Sequence, residues 1–310
     1  MRSTFMSKEM MNTKEVAEYL DIHEKQVYLL IKENKIPCTK ITGKWLFPKR
    51  LIDEWIIRNS TEQIKYIANK VKQTGESILA AGSNDPVLDI LLNEIKQKNP
   101  LAYIFSTSTG SSTGLTLFNN GLVDVAWSHL YDNETESYNI PFVKKLCTNR
   151  ELVVVHLFDR EVGLIIAPDI KHIIKDFSSI NQPEVVFVNR QEGSGIRQLI
   201  DLYIARHAIN PHHINGYTNV KYSHIETGLA IQSGEANCGV ASVAIANFFK
   251  LPFIPLPVES FDMIISKEIF FNQTIQNLIK LLHDQPFINK IKSIGNYNFF
   301  NSGEIIYVTS

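Results

Sequence analysis

Long apolar runs, cysteine pairs and metal- or nucleotide-binding signatures are all missing from this chain, and each absence removes a class of function. No stretch approaches the roughly 20 apolar residues that a membrane-spanning helix needs, so no membrane partner is expected. The opening segment, Met1 to Met11, lacks the apolar core of a secretory signal, which points to a cytoplasmic protein. Cys38, Cys147 and Cys238 lie far apart and match no zinc or redox spacing, as expected of free thiols in a reducing compartment. There is no metal-ligand cluster and no nucleotide-binding loop, and neither catalytic residues, a metal nor a cofactor is expected. What is present is ordinary for a globular chain. The 310 residues are 44% hydrophobic and 20% charged, and they are too many for one compact core.

The net charge of −1 conceals an asymmetry. Residues 1–75 hold 14 Lys/Arg against 9 Asp/Glu, and the remainder holds 17 against 23. A basic head on an acidic body suggests that the head meets nucleic acid. Its patterning agrees. Asn12 and Glu15 fit a capping box before a short apolar face of Val16, Ala17 and Leu20. A tight break at 20–22 leads to a second helix opened by His23, with Val27, Leu30 and Ile31 inward. Pro37 ends it. A hairpin of 39–41 and 45–47 follows, then a third helix with Pro48 at its start and the apolar pattern Leu51, Ile52, Trp55 and Ile56. Helix, tight turn, helix and wing make a helix-turn-helix layout. Its second helix would enter the major groove of duplex DNA through His23, Lys25, Gln26 and Tyr28, with Lys32 further along. Lys40, Lys44 and Lys49 (with Arg50) would face phosphates, since 35–50 holds five basic residues and no acidic one.

These residues resemble the excisionase/MerR-type winged helix-turn-helix. "EVAEYL" and "IPCTKITGKWLFP" stand in the family's order, and the match covers 11–57. His23 replaces the usual Ser or Thr cap, and Leu29 a usual basic residue. Residues 58–75 then read as a helical connector with Ile64, Ile67 and Val71 on one stripe. The expected domains are therefore a head at 1–60, a linker at 61–75 and a body at 76–310.

From residue 76 strands and helices alternate, as in α/β layers. Strands are expected at 77–81, 103–107, 123–127, 152–158, 162–167, 238–241 and 304–308, and helices at 272–282 and 286–293. The most informative stretch is 186–201, "VFVNRQEGSGIRQLID". A β-branched and aromatic run stops at Gly193-Ser194-Gly195, and an amphipathic helix follows. Ser194 can cap that helix, whose N-terminus offers unpaired N–H groups to a small anion. Similar turns occur at Ser83-Asn84, at Gly110-Ser111-Ser112 and at Ser223, where Glu226 completes a capping box. In open α/β sheets such turns lie beyond the carboxyl ends of strands, where ligands bind.

The body also resembles the cytoplasmic PBP-like domain related to type 2 periplasmic binding proteins, such as those for molybdate. "GSNDPVLDILL", "STGSSTGLTLFNNGLVDVAWSHL", "EVGLIIAP", "GLAIQSGEANCGVA" and "GNYNFFNSGEIIYV" run in order across it, with Asn84 where relatives commonly have His. The resemblance implies an α/β fold: a winged helix-turn-helix head plus a two-lobed domain with its ligand between the lobes. It adds His129, Tyr138 and Asn139 as cleft residues. Arg190 and Arg197, flanking the Gly-Ser-Gly turn, could pair an oxyanion or carboxylate. The expected protein is a homodimeric transcription regulator that senses a small anion, molybdate- or tungstate-like. Two readings stay open beside it: an architectural DNA-binding protein with a degenerate body, and an enzyme acting on a small anion.

Overall fold

The computed structural model describes residues 9–41, 43–56, 77–100 and 102–309. The chain divides into two units, Met1–Lys70 and Val71–Ser310. The expected connector at 58–75 lies outside the described residues.

In the first unit, β1 (Met10–Met11), α1 (Thr13–Tyr19), α2 (Glu24–Lys32), β2 (Thr39–Ile41), β3 (Lys44–Pro48) and α3 (49–56) follow one another. The capping box is formed: Asn12 Oδ1 accepts from the Lys14 and Glu15 N–H groups at 2.9 and 3.0 Å, and Glu15 Oε2 from Asn12 N–H at 2.8 Å. Asp21 takes φ 52°, the left-handed region in which Asp is better tolerated than most residues, and this sets the tight turn between α1 and α2. The core is Met11, Val16, Ala17, Val27, Ile36, Phe47 and Ile52. Pro48 is displaced from its expected place. It closes β3 opposite Met10, and helix begins after it, because the β1–β3 ladder claims the proline first.

The second unit holds two sheets. The chain enters through β4 (Ser77–Gly82), α4 (Pro86–Lys98), β5 (Tyr103–Ser108), α5 (Ser111–Asn119) and β6 (Val125–Ser128). A small hairpin of β7 (Tyr131–Asp132) and β8 (Ser137–Tyr138), then α6 (Ile140–Leu146), lead to β9 (Leu152–Arg160). The chain crosses at Glu161 into β10 (Val162–Ile166), β11 (Phe187–Arg190), α7 (Gly195–Arg206), β12 (Val220–Lys221), α8 (His224–Gln232), β13 (Cys238–Ser242), α9 (Val243–Phe249) and β14 (Phe253–Pro255). It returns through β15 (Glu259–Ser266), α10 (Gln273–Leu281), α11 (Gln285–Lys292), β16 (Tyr297–Asn298) and β17 (Ile305–Val308).

The first lobe is a 7-stranded sheet in the order β16-β9-β15-β6-β4-β5, with β17 also on β9. The second is a 5-stranded sheet in the order β12-β11-β13-β10-β14. Each sheet carries one apolar cluster on either face, which is why its central strands read as unbroken apolar runs. Only β9–β10 and β14–β15 pass between the sheets, and they meet where Glu259 pairs with Arg160. Strands 4, 5 and 6 run parallel in one lobe and 11, 12 and 13 in the other. Their carboxyl ends carry Gly82, Ser108 and Ser128, and Arg190, Lys221 and Ser242.

Candidate functional site

In the body, the turns singled out in the sequence lie at these carboxyl ends, and two of them touch. Gly110, at φ 82°, precedes α5 and gives its N–H to Gly82 O at 3.0 Å. The Ser112 N–H donates to Gly193 O at 3.1 Å, so the start of α5 in one lobe is joined to the turn before α7 in the other. A Cβ on Gly195 would lie 2.5 Å from His129 Nδ1, so the α7 N-terminus admits the His129 imidazole only because residue 195 is glycine.

The serine hydroxyls do mainly structural work. Ser194 Oγ donates to Gln191 O at 3.0 Å and accepts the Arg197 N–H at 3.1 Å, which is a helix cap. Ser111 Oγ accepts the His129 N–H at 3.3 Å and so fixes the His129 backbone. Ser83 is nearly buried, with its N–H on Trp127 O at 2.9 Å. The Asn84 carboxamide reaches Asp89 at 3.4 Å, and the Asn84 carbonyl faces Arg160. Asn139 is a brace: it accepts from Leu130 N–H at 2.7 Å and donates to Asp262 Oδ2 at 2.6 Å, holding the loop that carries His129. Tyr138 donates to Val258 O at 3.1 Å beside the hinge. Arg197 is not brought to the group. Its Nε contacts both Asp201 oxygens at 2.9 Å and its Nη2 donates to Tyr217 at 2.9 Å, because residues 197 and 201 share a helix face. The Ser223 box forms differently from expectation: Ser223 caps Glu226 N–H, but Glu226 Oε2 accepts from Tyr222 N–H at 2.8 Å, one residue earlier.

Arg190 is different. It is 4% exposed, its Nε and Nη2 donate to the Lys221 and Tyr222 carbonyls, and its Nη1 has no hydrogen-bond partner. Burial, reinforced by the Arg160 guanidinium, lowers it to about 10. Beside it stands His224, which sequence reasoning passed over in favour of the neighbouring Ser223. His224 Nδ1 accepts the Ser242 N–H at 3.1 Å, which places the ring proton on Nε2, a buried donor without a partner. Burial, then Arg190, Arg160 and His129, hold His224 well below the usual histidine range. His129 Nδ1 lies 3.2 Å from Glu259 Oε2, close enough for an ion pair but too oblique for a hydrogen bond. Burial lowers His129 as well, opposed by Glu259 and reinforced by Arg160 and Arg190. The Ser128 hydroxyl, next to His129 in the chain, is also buried and unpartnered.

Arg160, which the sequence did not single out, sits at the hinge with its charge answered by two carboxylates. Its Nη1 meets Asp85 at 2.6 Å and its Nη2 meets Glu259 at 2.9 Å. Asp85 also caps α4 through Val87 N–H at 2.7 Å and takes the Tyr297 hydroxyl. Burial acts to lower Arg160, but the two carboxylates outweigh it and raise it. These partners lie 75 and 99 residues away in sequence, which is why no local pattern reveals them.

On the head, His23, Lys25, Gln26, Tyr28, Lys32, Lys40 and Lys44 are exposed. Gln26 is partly committed: its Oε1 accepts the His23 N–H at 3.2 Å and caps α2. Lys40 Nζ lies over Trp45 at 5.4 Å from the ring centroid. Lys49 departs from its expected role, because it is half-buried and bound to Asp53 and Tyr19, each at 3.2 Å. No group of three or more His, Cys, Asp or Glu side chains able to hold a metal ion occurs among the described residues, and no helix there is long and apolar enough to cross a membrane.

The family model of a helix-turn-helix domain matches residues 10–60, and that of a PBP superfamily domain matches residues 92–283. YvgK of Bacillus subtilis strain 168, an uncharacterised protein, is 24% identical over 306 residues, 95% of this chain and 97% of its own length. An uncharacterised Clostridium pasteurianum protein from the 5′ region of a 2Fe–2S ferredoxin gene is 26% identical over 109 residues, 35% of this chain and 96% of its own. Among solved structures, the tungstate ABC transporter from Geobacter sulfurreducens aligns with a TM-score of 0.51 at 13% identity, covering 71% of this chain and 97% of that one, a likeness of fold. With a helix-turn-helix at its N-terminus and a two-lobed α/β body behind it, the chain belongs to the PBP superfamily.

Proposed function

We propose that the protein is a ligand-responsive transcription regulator: a head at 1–60 that binds operator DNA, a linker at 61–75, and a body at 76–310 that senses a small oxyanion or carboxylate. Its ligand set is Arg190 and His224, with His129, Ser128 and the N-termini of α5 and α7 around them, including Ser111, Ser112, Ser194 and Gly195. The single observation behind this reading is the Arg190 guanidinium, buried with no carboxylate in contact and with its Nη1 unpartnered. A buried charge without a counter-ion is costly, so a site of this kind is built for an anion. Molybdate, tungstate, sulfate and phosphate are the candidates by size and charge. No catalytic role is assigned to Ser194 or Ser111, whose hydroxyls are committed to backbone groups.

The protein is proposed to act in the cytoplasm as a homodimer, because a recognition helix of 9 residues reads too little DNA alone and paired half-sites multiply affinity. A melting screen with these anions and with small carboxylates tests the sensor. A ligand at 100 times its Kd adds about 2.7 kcal/mol of stability, and no shift from any of them rejects the reading. For the head, Lys40→Ala and Lys44→Ala should each lower the salt slope of DNA binding by about 1, evenly across sequences. Lys49→Ala should do less, since Asp53 already holds that ammonium. A gel-shift salt titration measures all three.

A further inference from the structure

The groups sealed around Arg190 form a closed charge balance. Asp85, Arg160, Glu259 and Arg190 are each no more than 4% exposed. Both carboxylates contact Arg160 and neither contacts Arg190, but the four charges sum to zero, so with His129 and His224 neutral these enclosed groups carry no net charge. An anion arriving at Arg190 upsets this balance. Arg190 answers the anion locally, but the enclosure as a whole then carries net negative charge, and uncompensated charge away from water is costly.

Two side chains could offset it by taking a proton. His224 is unsuited, because its Nδ1 already accepts the Ser242 N–H, and a proton there would set one donor against another. His129 is suited. Its Nδ1 stands 3.2 Å from the Glu259 carboxylate, which favours an imidazolium. Its ring stacks on Phe261 at 5.8 Å and lies against the N-terminus of α7 at Gly195. The charged and titratable groups that act on it come from every side: Glu259 on β15, Arg160 on β9, Arg190 on β11 and His224 on α8. Of these only Glu259 favours the proton, and an anion at Arg190 would counter the opposition of that arginine.

We propose, building on the anion-sensor reading, that this site takes its anion together with one proton, drawn from solvent and lodged on the His129 imidazole. The species sensed is then anion plus proton, and the sensor responds more strongly as the medium turns acidic.

The experiment is calorimetric titration of the full chain with sodium sulfate and sodium molybdate at near-neutral pH, in buffers of unequal ionisation heat. Neither probe takes up a proton of its own there. The expected result is a buffer-dependent heat equivalent to about one proton gained per anion, with affinity falling about tenfold per pH unit on the alkaline side. His129→Gln should bind with no proton uptake and a flat pH profile, whereas His224→Gln should bind more weakly yet keep both. Buffer-independent heat in the wild type overturns the proposal and leaves the anion reading standing. Unchanged uptake in His129→Gln overturns the assignment to that residue. Absence of any heat or melting shift with sulfate, molybdate, tungstate, phosphate or the small carboxylates overturns both readings together. The wild-type measurement decides the coupling whether or not a variant folds.

Discussion

The hinge and the wall of the cleft each bury an arginine, and the two are treated in opposite ways. Arg160, at the hinge, is fully enclosed and bracketed by Asp85 and Glu259. Arg190, at the end of β11, is almost as deep and has backbone carbonyls for two of its nitrogens and nothing for the third. Burial pulls against both charges. The carboxylates reverse it at Arg160 and raise that group, while at Arg190 nothing comparable opposes it. One guanidinium is therefore paired within the fold, and the other keeps an unpartnered nitrogen, the position proposed for the anion.

The largest expected effect tests that division directly. Glu259→Ala should cost about 3–5 kcal/mol of stability without any anion, because it leaves Arg160 half-paired in a dry place. Arg190→Met should cost far less, or stabilise, since it removes a charge that has no partner. Denaturant unfolding of both variants decides. Equal losses would erase the distinction between the two arginines.

Affinity comes next. Arg190→Gln should weaken anion binding about ten- to hundredfold, the equivalent of about 1.5–3 kcal/mol for one hydrogen bond to a charged group. Glu259→Ala, if it folds, should weaken binding less, through the hinge. Gly195→Val should prevent the lobes from meeting at His129, where even a Cβ has no room. Calorimetry on the three variants ranks them, and a Gly195→Val protein that binds normally would place the ligand elsewhere.

A pH series separates the regions at a smaller scale. His129 and His224 are held below the usual histidine range, so the stability they permit is present above that range and is lost as pH falls through it. His156, on β9, is held above the range: burial acts to lower it, but its hydrogen bond to Asp262 outweighs this. Its contribution is full at lower pH and fades as pH rises through its folded value. Each histidine kept neutral costs up to about 1.4 kcal/mol per pH unit of displacement. His224→Gln should therefore flatten the acid side of the melting profile, and His156→Gln the alkaline side. Exchanged effects would contradict the assignment. The smallest effect belongs to Ser194→Ala, a cap loss of about 1 kcal/mol in stability with little change in affinity, read from melting and calorimetry side by side. A large loss of affinity there would show that the hydroxyl serves the ligand after all.

Much of this was visible before the fold was known, and unevenly so. The Asn12–Glu15 box, the Ser194 cap and the break at Gly193 to Gly195 are contained within a few residues, so backbone hydrogen bonding alone specifies them. Strand ends were legible to within two residues or so, as at 152–158 against Leu152–Arg160. The error there hid Arg160, because a charged residue at the end of an apolar strand reads as its terminus. Arg197 shows the opposite case: its proximity to the Gly-Ser-Gly turn suggests a ligand, but Asp201 one helical turn on holds its guanidinium in the fold.

The sequence by itself determined the head, the alternation of strands and helices, and the turns that start α5 and α7. These depend on periodicity, capping and glycine, which act over one or two helical turns. Only the tertiary structure decided which charges would be answered. Asp85, Arg160 and Glu259 come together because two hinge strands cross between the lobes, and Arg190, His129 and His224 because three different strand ends converge. Burial and pairing across such separations are set by packing, so the unpartnered Nη1 of Arg190, and with it the case for an anion, exists only in the folded chain.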